Sequence, residues 1–166
     1  MSVWVILLTT VHLGLCAVAL ILGGRAVVRW SFAPFHPTRE SAFLYTGLAA
    51  TVTGFVFPFH GITPAIIIGL ISCFTLIVTL LARARLASKK RLWSLVFACG
   101  LLTAQYLLVF VTIAQAFTKI GALHALAPTL KEAPFALAQA VALIAFLTLT
   151  VLAIRQVLSP RRAKRC

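Results

Sequence analysis

The chain contains no aspartate and only two glutamates, Glu40 and Glu132, among its 166 residues. That scarcity leaves a membrane proton relay almost nothing to work with, and the outer loop that holds Glu132 offers no second carboxylate to pair with it. Cysteine is sparse as well: Cys16, Cys73, Cys99 and Cys166 stand far apart, with no CxxC or zinc-like spacing, so no metal site is expected. The first three read as small apolar fillers. None of the seven prolines falls in the middle of an apolar run. This argues against transporters whose helices are interrupted at the midplane.

What the chain has in abundance is apolar sequence. It is 62% hydrophobic and 10% charged, with a mean hydropathy of +1.09, far from the composition of a soluble domain. A hydrocarbon core of about 30 Å, crossed at about 1.5 Å per residue, demands runs near 20 residues. Five such runs occur, over residues 3–22, 41–59, 62–81, 92–117 and 134–154. The expected fold is therefore all-α, an integral membrane bundle of five transmembrane helices. It forms a single domain over residues 1–158, followed by a basic tail at 159–166. The first run is expected to stay in the protein rather than act as a cleaved signal, because Met1-Ser-Val-Trp4 carries no positive charge and the run is long enough to span.

The net charge of +13 invites a nucleic-acid reading, but the distribution of the cations opposes it. Arg25, Arg29 and Arg39 follow the first run, Arg83, Arg85, Lys89, Lys90 and Arg91 the third, and Arg155, Arg161, Arg162, Lys164 and Arg165 the fifth. Only Lys119 and Lys131 remain for the other side. Since Lys and Arg beside helix ends are retained in the cytoplasm, this alternation predicts an outside N-terminus and a cytoplasmic C-terminus. It also predicts a basic cytoplasmic face able to meet anionic lipid, and no nucleic-acid partner. Trp4, Trp30 and Trp93 fall at run edges, where an indole buries its ring and keeps its N–H wet.

Turn formers in Pro58-Phe-His-Gly-Ile-Thr-Pro64 predict a hairpin between the second and third runs. Glu40 is expected to make a solvated pair with Arg39, and Thr38 or Ser41 to cap the second helix. Gly47, Ala50, Thr51 and Gly54 share one face of that helix and predict a close helix approach, with the alanine-rich fifth run suited to the partner role.

One histidine, His12, lies inside an apolar run. Counting depth at about 1.5 Å per residue puts it roughly 14 Å below the outer surface, in a layer with Ser72, Thr46, Gln105 and Tyr106. The preferred reading is a structural imidazole satisfied by two such partners. The alternative is a small redox protein that binds haem or quinone through His12, with Tyr106 and Gln105 in support. Two-histidine haem ligation is disfavoured, because His60 and His124 are expected in outer loops, roughly 14 Å above His12, and His36 on the cytoplasmic side. A second polar group, Lys119, His124, Gln115 and Gln139 with His60, marks an outer-face site. Helical spacing of Ile120, Leu123 and Leu126 predicts a short surface helix there, whose plainer reading is a cap over the bundle.

The stretch Lys119-Ile-Gly-Ala-Leu-His-Ala-Leu-Ala-Pro-Thr-Leu-Lys-Glu-Ala-Pro-Phe-Ala-Leu-Ala-Gln139 resembles a segment of small multi-pass inner-membrane proteins of proteobacteria whose activity is unassigned. The resemblance is confined to this stretch. It implies a bacterial inner-membrane location and carries over no functional residue. The functional expectation is a non-catalytic accessory or interaction subunit, with no cofactor, that partners another membrane protein or a second copy. A small-solute carrier is the weaker alternative.

Overall fold

A computed structural model describes residues 3–32, 40–57 and 63–159, without the side chains of residues 31 and 32. Six α-helices and one 3₁₀ turn account for nearly all of these residues: α1 (Val3–Phe32), α2 (Ser41–Phe55), α3 (Pro64–Ala84), the turn Leu86–Ser88, α4 (Arg91–Lys119), α5 (Gly121–Leu126) and α6 (Ala133–Leu158). No strand occurs among the described residues. The expected helical class holds.

Four helices, α1, α3, α4 and α6, are long and apolar enough to cross a membrane, as in a multi-pass membrane protein. The second apolar run differs from expectation. Its helix α2 has 15 residues, a rise of about 22 Å that falls short of the hydrocarbon thickness. Gly54 and Val56 near its end, and the Pro58 that follows, weaken helix continuation. In the other direction α1 runs past residue 22 to Phe32, so Arg25 and Arg29 extend from helix rather than from a loop.

Helix α4 is central. It packs most heavily against α3 and α6, and more lightly against α1, while α2 fills the space between α1 and α3. The α4–α6 seam is antiparallel and can be followed from end to end. Phe117 meets Phe135 edge-on at 5.5 Å, Gln139 Nε2 donates to the Phe110 carbonyl at 3.1 Å, and Tyr106 stacks at a tilt on Phe146 at 5.8 Å. Ala98, Leu102, Ala153 and Val157 then close its far end. A larger cluster, built on Phe43, Leu44, Leu76, Phe97 and Leu101, ties α1, α2, α3 and α4 together.

The small-residue stripe of α2 does bring helices close, but its partners are α1 and α3 rather than the alanine-rich α6. A methyl group added at Gly47 would touch Leu76 of α3 at 3.5 Å, and one added at Gly54 would press on the His12 ring at 3.3 Å. The glycines lie on the flank of α2 that faces two neighbours at once, which a sequence stripe alone does not reveal. Gly100 of α4 makes a further close approach, its Cα directly beneath the Thr79 hydroxyl of α3.

At the start of α2, Glu40 occupies the N-cap position, with no side-chain capping bond. It is 6% exposed and lies 4.0 Å from Arg29 of α1, so the chain does contain a buried acid rather than a solvated one. The reason is the unexpected length of α1, which carries Arg29 alongside. Thr38, Arg39, His36, His60 and the tail beyond Ser159 lie outside the described residues.

Candidate functional site

The polar centre of the bundle is built on α1. His12 faces the C-terminal end of α2, where Nδ1 lies 3.0 Å from Thr53 Oγ1. One turn further along α1, Cys16 Sγ lies 3.6 Å from His12 Nε2. The Thr53 hydroxyl donates its one proton to the Ala50 carbonyl at 2.9 Å, so its oxygen is left to accept from the imidazole. That assigns the proton to Nδ1 and makes Nε2 the acceptor for the Cys16 S–H. All four polar groups are then satisfied by one directional chain, from Cys16 through His12 and Thr53 to the α2 backbone. Phe57 closes the cluster edge-on to the imidazole at 5.4 Å.

The midplane residues that depth counting groups together are separated in the structure. Gln105 is 2% exposed and sends Nε2 to the Leu20 carbonyl at 3.3 Å. Leu20 is two turns along α1 from His12, about 12 Å away along the axis. Gln105 Oε1 has no hydrogen-bond partner and lies directly over Gly23, where a Cβ would collide with it. Tyr106 turns the other way, onto Phe110 and Phe146 at the α6 seam, beside a groove of about 60 Å³ lined by Leu143, Leu147 and Thr150. Ser72 and Thr46 are half-buried, and Thr46 bonds the Ala42 carbonyl of its own helix. The discrepancy arises because α4 extends to Lys119 and the helix ends do not share one plane, so equal counts along different helices do not give equal depths.

Thr53 and Cys16 were the partners that sequence reasoning missed. Their signals were present: Cys16 is i+4 from His12, on the same helical face, and Thr53 is a hydroxyl near the end of an apolar helix.

At the C-terminal end of α4, the expected surface helix is present as α5, with Leu123 half-buried and Ile120 and Leu126 exposed. His124 and Lys119 are exposed, as is Gln115, while Gln139 is half-buried and engaged with Phe110. The loop is shaped by Glu132. Its carboxylate accepts from Thr129 N–H at 3.2 Å, Thr129 Oγ1 at 2.8 Å and Lys131 N–H at 3.0 Å, with Leu130 held left-handed at φ 59° between them. Desolvation pushes the Glu132 carboxyl upward, but these hydrogen bonds together outweigh it and hold the group below the ordinary carboxylate range. No group of three or more metal-ligating side chains gathers anywhere among the described residues.

Comparison with protein-family models, curated proteins and solved structures finds no match to this chain. The residues themselves therefore carry the functional argument.

Proposed function

We propose that the chain is a non-catalytic multi-pass protein of the bacterial inner membrane that acts as an accessory or interaction subunit. The observation that carries this reading is the use made of the polar side chains inside the bundle. Both ring nitrogens of His12, and the side-chain N–H groups of Gln105 and Gln139, bond to helices of the same chain. Each such bond joins neighbouring turns or neighbouring helices, which is how polar groups hold helices together where lipid gives no hydrophobic drive between them. A haem or quinone held by His12 would first have to displace Cys16 or Thr53.

In this reading α2 is the fifth crossing, short but sheltered between α1 and α3, with the N-terminus outside and the C-terminus in the cytoplasm. The support is the charge pattern. Among the described residues, Arg25, Arg29, Arg83, Arg85, Lys89, Lys90, Arg91 and Arg155 lie toward one end of the antiparallel bundle, and Lys119 and Lys131 at the other.

The test is purification of the tagged full-length protein from its native membrane in a mild detergent. A second membrane protein at fixed molar ratio, retained through size exclusion, is the expected result. Purification alone, with stoichiometric extractable quinone or haem, would overturn the proposal.

A further inference from the structure

The α3–α4 elbow gathers Arg83, Arg85, Lys89, Lys90 and Arg91 within nine residues. It is anchored to the bundle. Leu86 packs against the core cluster, and the Leu86–Ser88 turn is closed by Ser88 N–H and Oγ bonding to the Arg85 carbonyl at 3.1 and 2.7 Å, and by Lys89 N–H bonding to Leu86 at 3.0 Å. Lys89 follows in the left-handed region at φ 54° and reverses the chain into α4. The Arg85 guanidinium lies over the Trp93 ring at 5.3 Å, which holds that cation beside an indole. Arg85, Lys89, Lys90 and Arg91 are all exposed.

The two carboxylate side chains of this chain are engaged elsewhere. Glu40 sits against Arg29 and beside Ala98, eight residues into α4 and so about 12 Å from Lys90 along its axis. Glu132 is spent on its own loop at the far end of α4, about 40 Å away. From Pro64 to Arg83 the axis of α3 rises about 28 Å, one hydrocarbon thickness, so the cations beyond Arg83 fall at headgroup level.

We propose that this elbow binds the phosphate of anionic phospholipids in the leaflet it abuts. The inference rests on the reading of the chain as a membrane protein. Exposed cations with no side-chain carboxylate beside them, on a fixed turn with an interfacial tryptophan, complement an anionic headgroup and favour it over a zwitterionic one. A single basic residue near an anionic surface strengthens association on the order of fivefold.

The test uses the full chain in phosphatidylcholine bilayers, with trace spin-labelled phosphatidylglycerol or spin-labelled phosphatidylcholine read by electron paramagnetic resonance. Any motionally restricted phosphatidylcholine reports that the chain is embedded, and its absence would overturn the membrane reading itself. The ratio of restricted phosphatidylglycerol to restricted phosphatidylcholine reports the elbow. It is expected to favour phosphatidylglycerol at least about threefold. Combined Arg85→Gln, Lys89→Gln and Lys90→Gln should bring the ratio towards unity with the phosphatidylcholine signal intact, while Lys119→Gln with Lys131→Gln at the other end leaves it unchanged. Equal association of the two lipids in the unaltered protein, or selectivity that survives the triple substitution, overturns the proposal. So does displacement by inorganic phosphate beyond that by chloride at equal ionic strength, which would make the elbow a site for the free anion.

Discussion

Gly23 and the side-chain amide of Gln105 meet so closely that no other residue fits at position 23 without moving the amide. A Gly23→Ala substitution should break the bond from Gln105 to Leu20 and cost about 1–3 kcal/mol, the usual range for overpacking. Unfolding in mixed detergent micelles checks this. Adding Gln105→Ala should recover part of the loss, because the two changes act on one contact. At His12 the expected outcome is smaller. Thr53→Val should cost about 0.6 kcal/mol and no more than about 1.7 kcal/mol, the average and the upper end for hydrogen bonds between membrane helices. Nitrogen chemical shifts of the imidazole should report a proton on Nδ1 in the unaltered protein, and a proton on Nε2 would contradict the assigned direction of the chain. His12 was legible as a hydrogen-bonded group because a lone imidazole in an apolar run must find partners. Its partners were not legible, since they depend on the stagger of α1 against α2, and nothing in either helix alone encodes that stagger.

At the scale of the element, the long helices were readable because their apolar runs exceed the hydrocarbon thickness. The ends were less so: α1 continues through Arg25 and Arg29, whose side chains extend from the helix and leave its backbone hydrogen bonding uninterrupted. The shortness of α2 follows from the glycine and turn formers at its end, which a count of apolar residues ignores. The α5–α6 loop carries a pH expectation. Hydrogen bonds keep the Glu132 carboxyl below its ordinary value of 4.5, so the loop's contribution is complete above that value and fades as the pH falls through the lower folded-state value. The amide resonances of Thr129 and Lys131 should therefore hold steady down to about pH 4.5 and shift below it. In Glu132→Gln that acid transition should vanish. Lys89 offers a second check, for its left-handed backbone strains any side chain. Lys89→Gly should leave stability unchanged or raise it by up to about 1 kcal/mol, measured by the same micelle titration.

At the scale of the whole molecule, an antiparallel bundle assembled around α4 places the basic ends of α1, α3 and α6 together and leaves the α5 end with few charges. The apolar faces of α1, α3 and α6 turn outward, with Trp4, Phe74 and Leu137 each more than 60% exposed. Such surfaces are stable only against lipid or another apolar helix. The side chains of His12, Gln105 and Gln139, by contrast, bond to neighbouring turns or helices of the same chain, and the central claim of the proposed function is that they hold the bundle together and perform no chemistry. The most direct test is the absorption spectrum of the protein purified from its native membrane, oxidised and then dithionite-reduced, alongside His12→Ala. The account predicts a featureless visible spectrum for both proteins, with the variant less resistant to unfolding. A Soret band whose reduced form sharpens, and which disappears in the variant, would contradict it and make His12 a haem ligand.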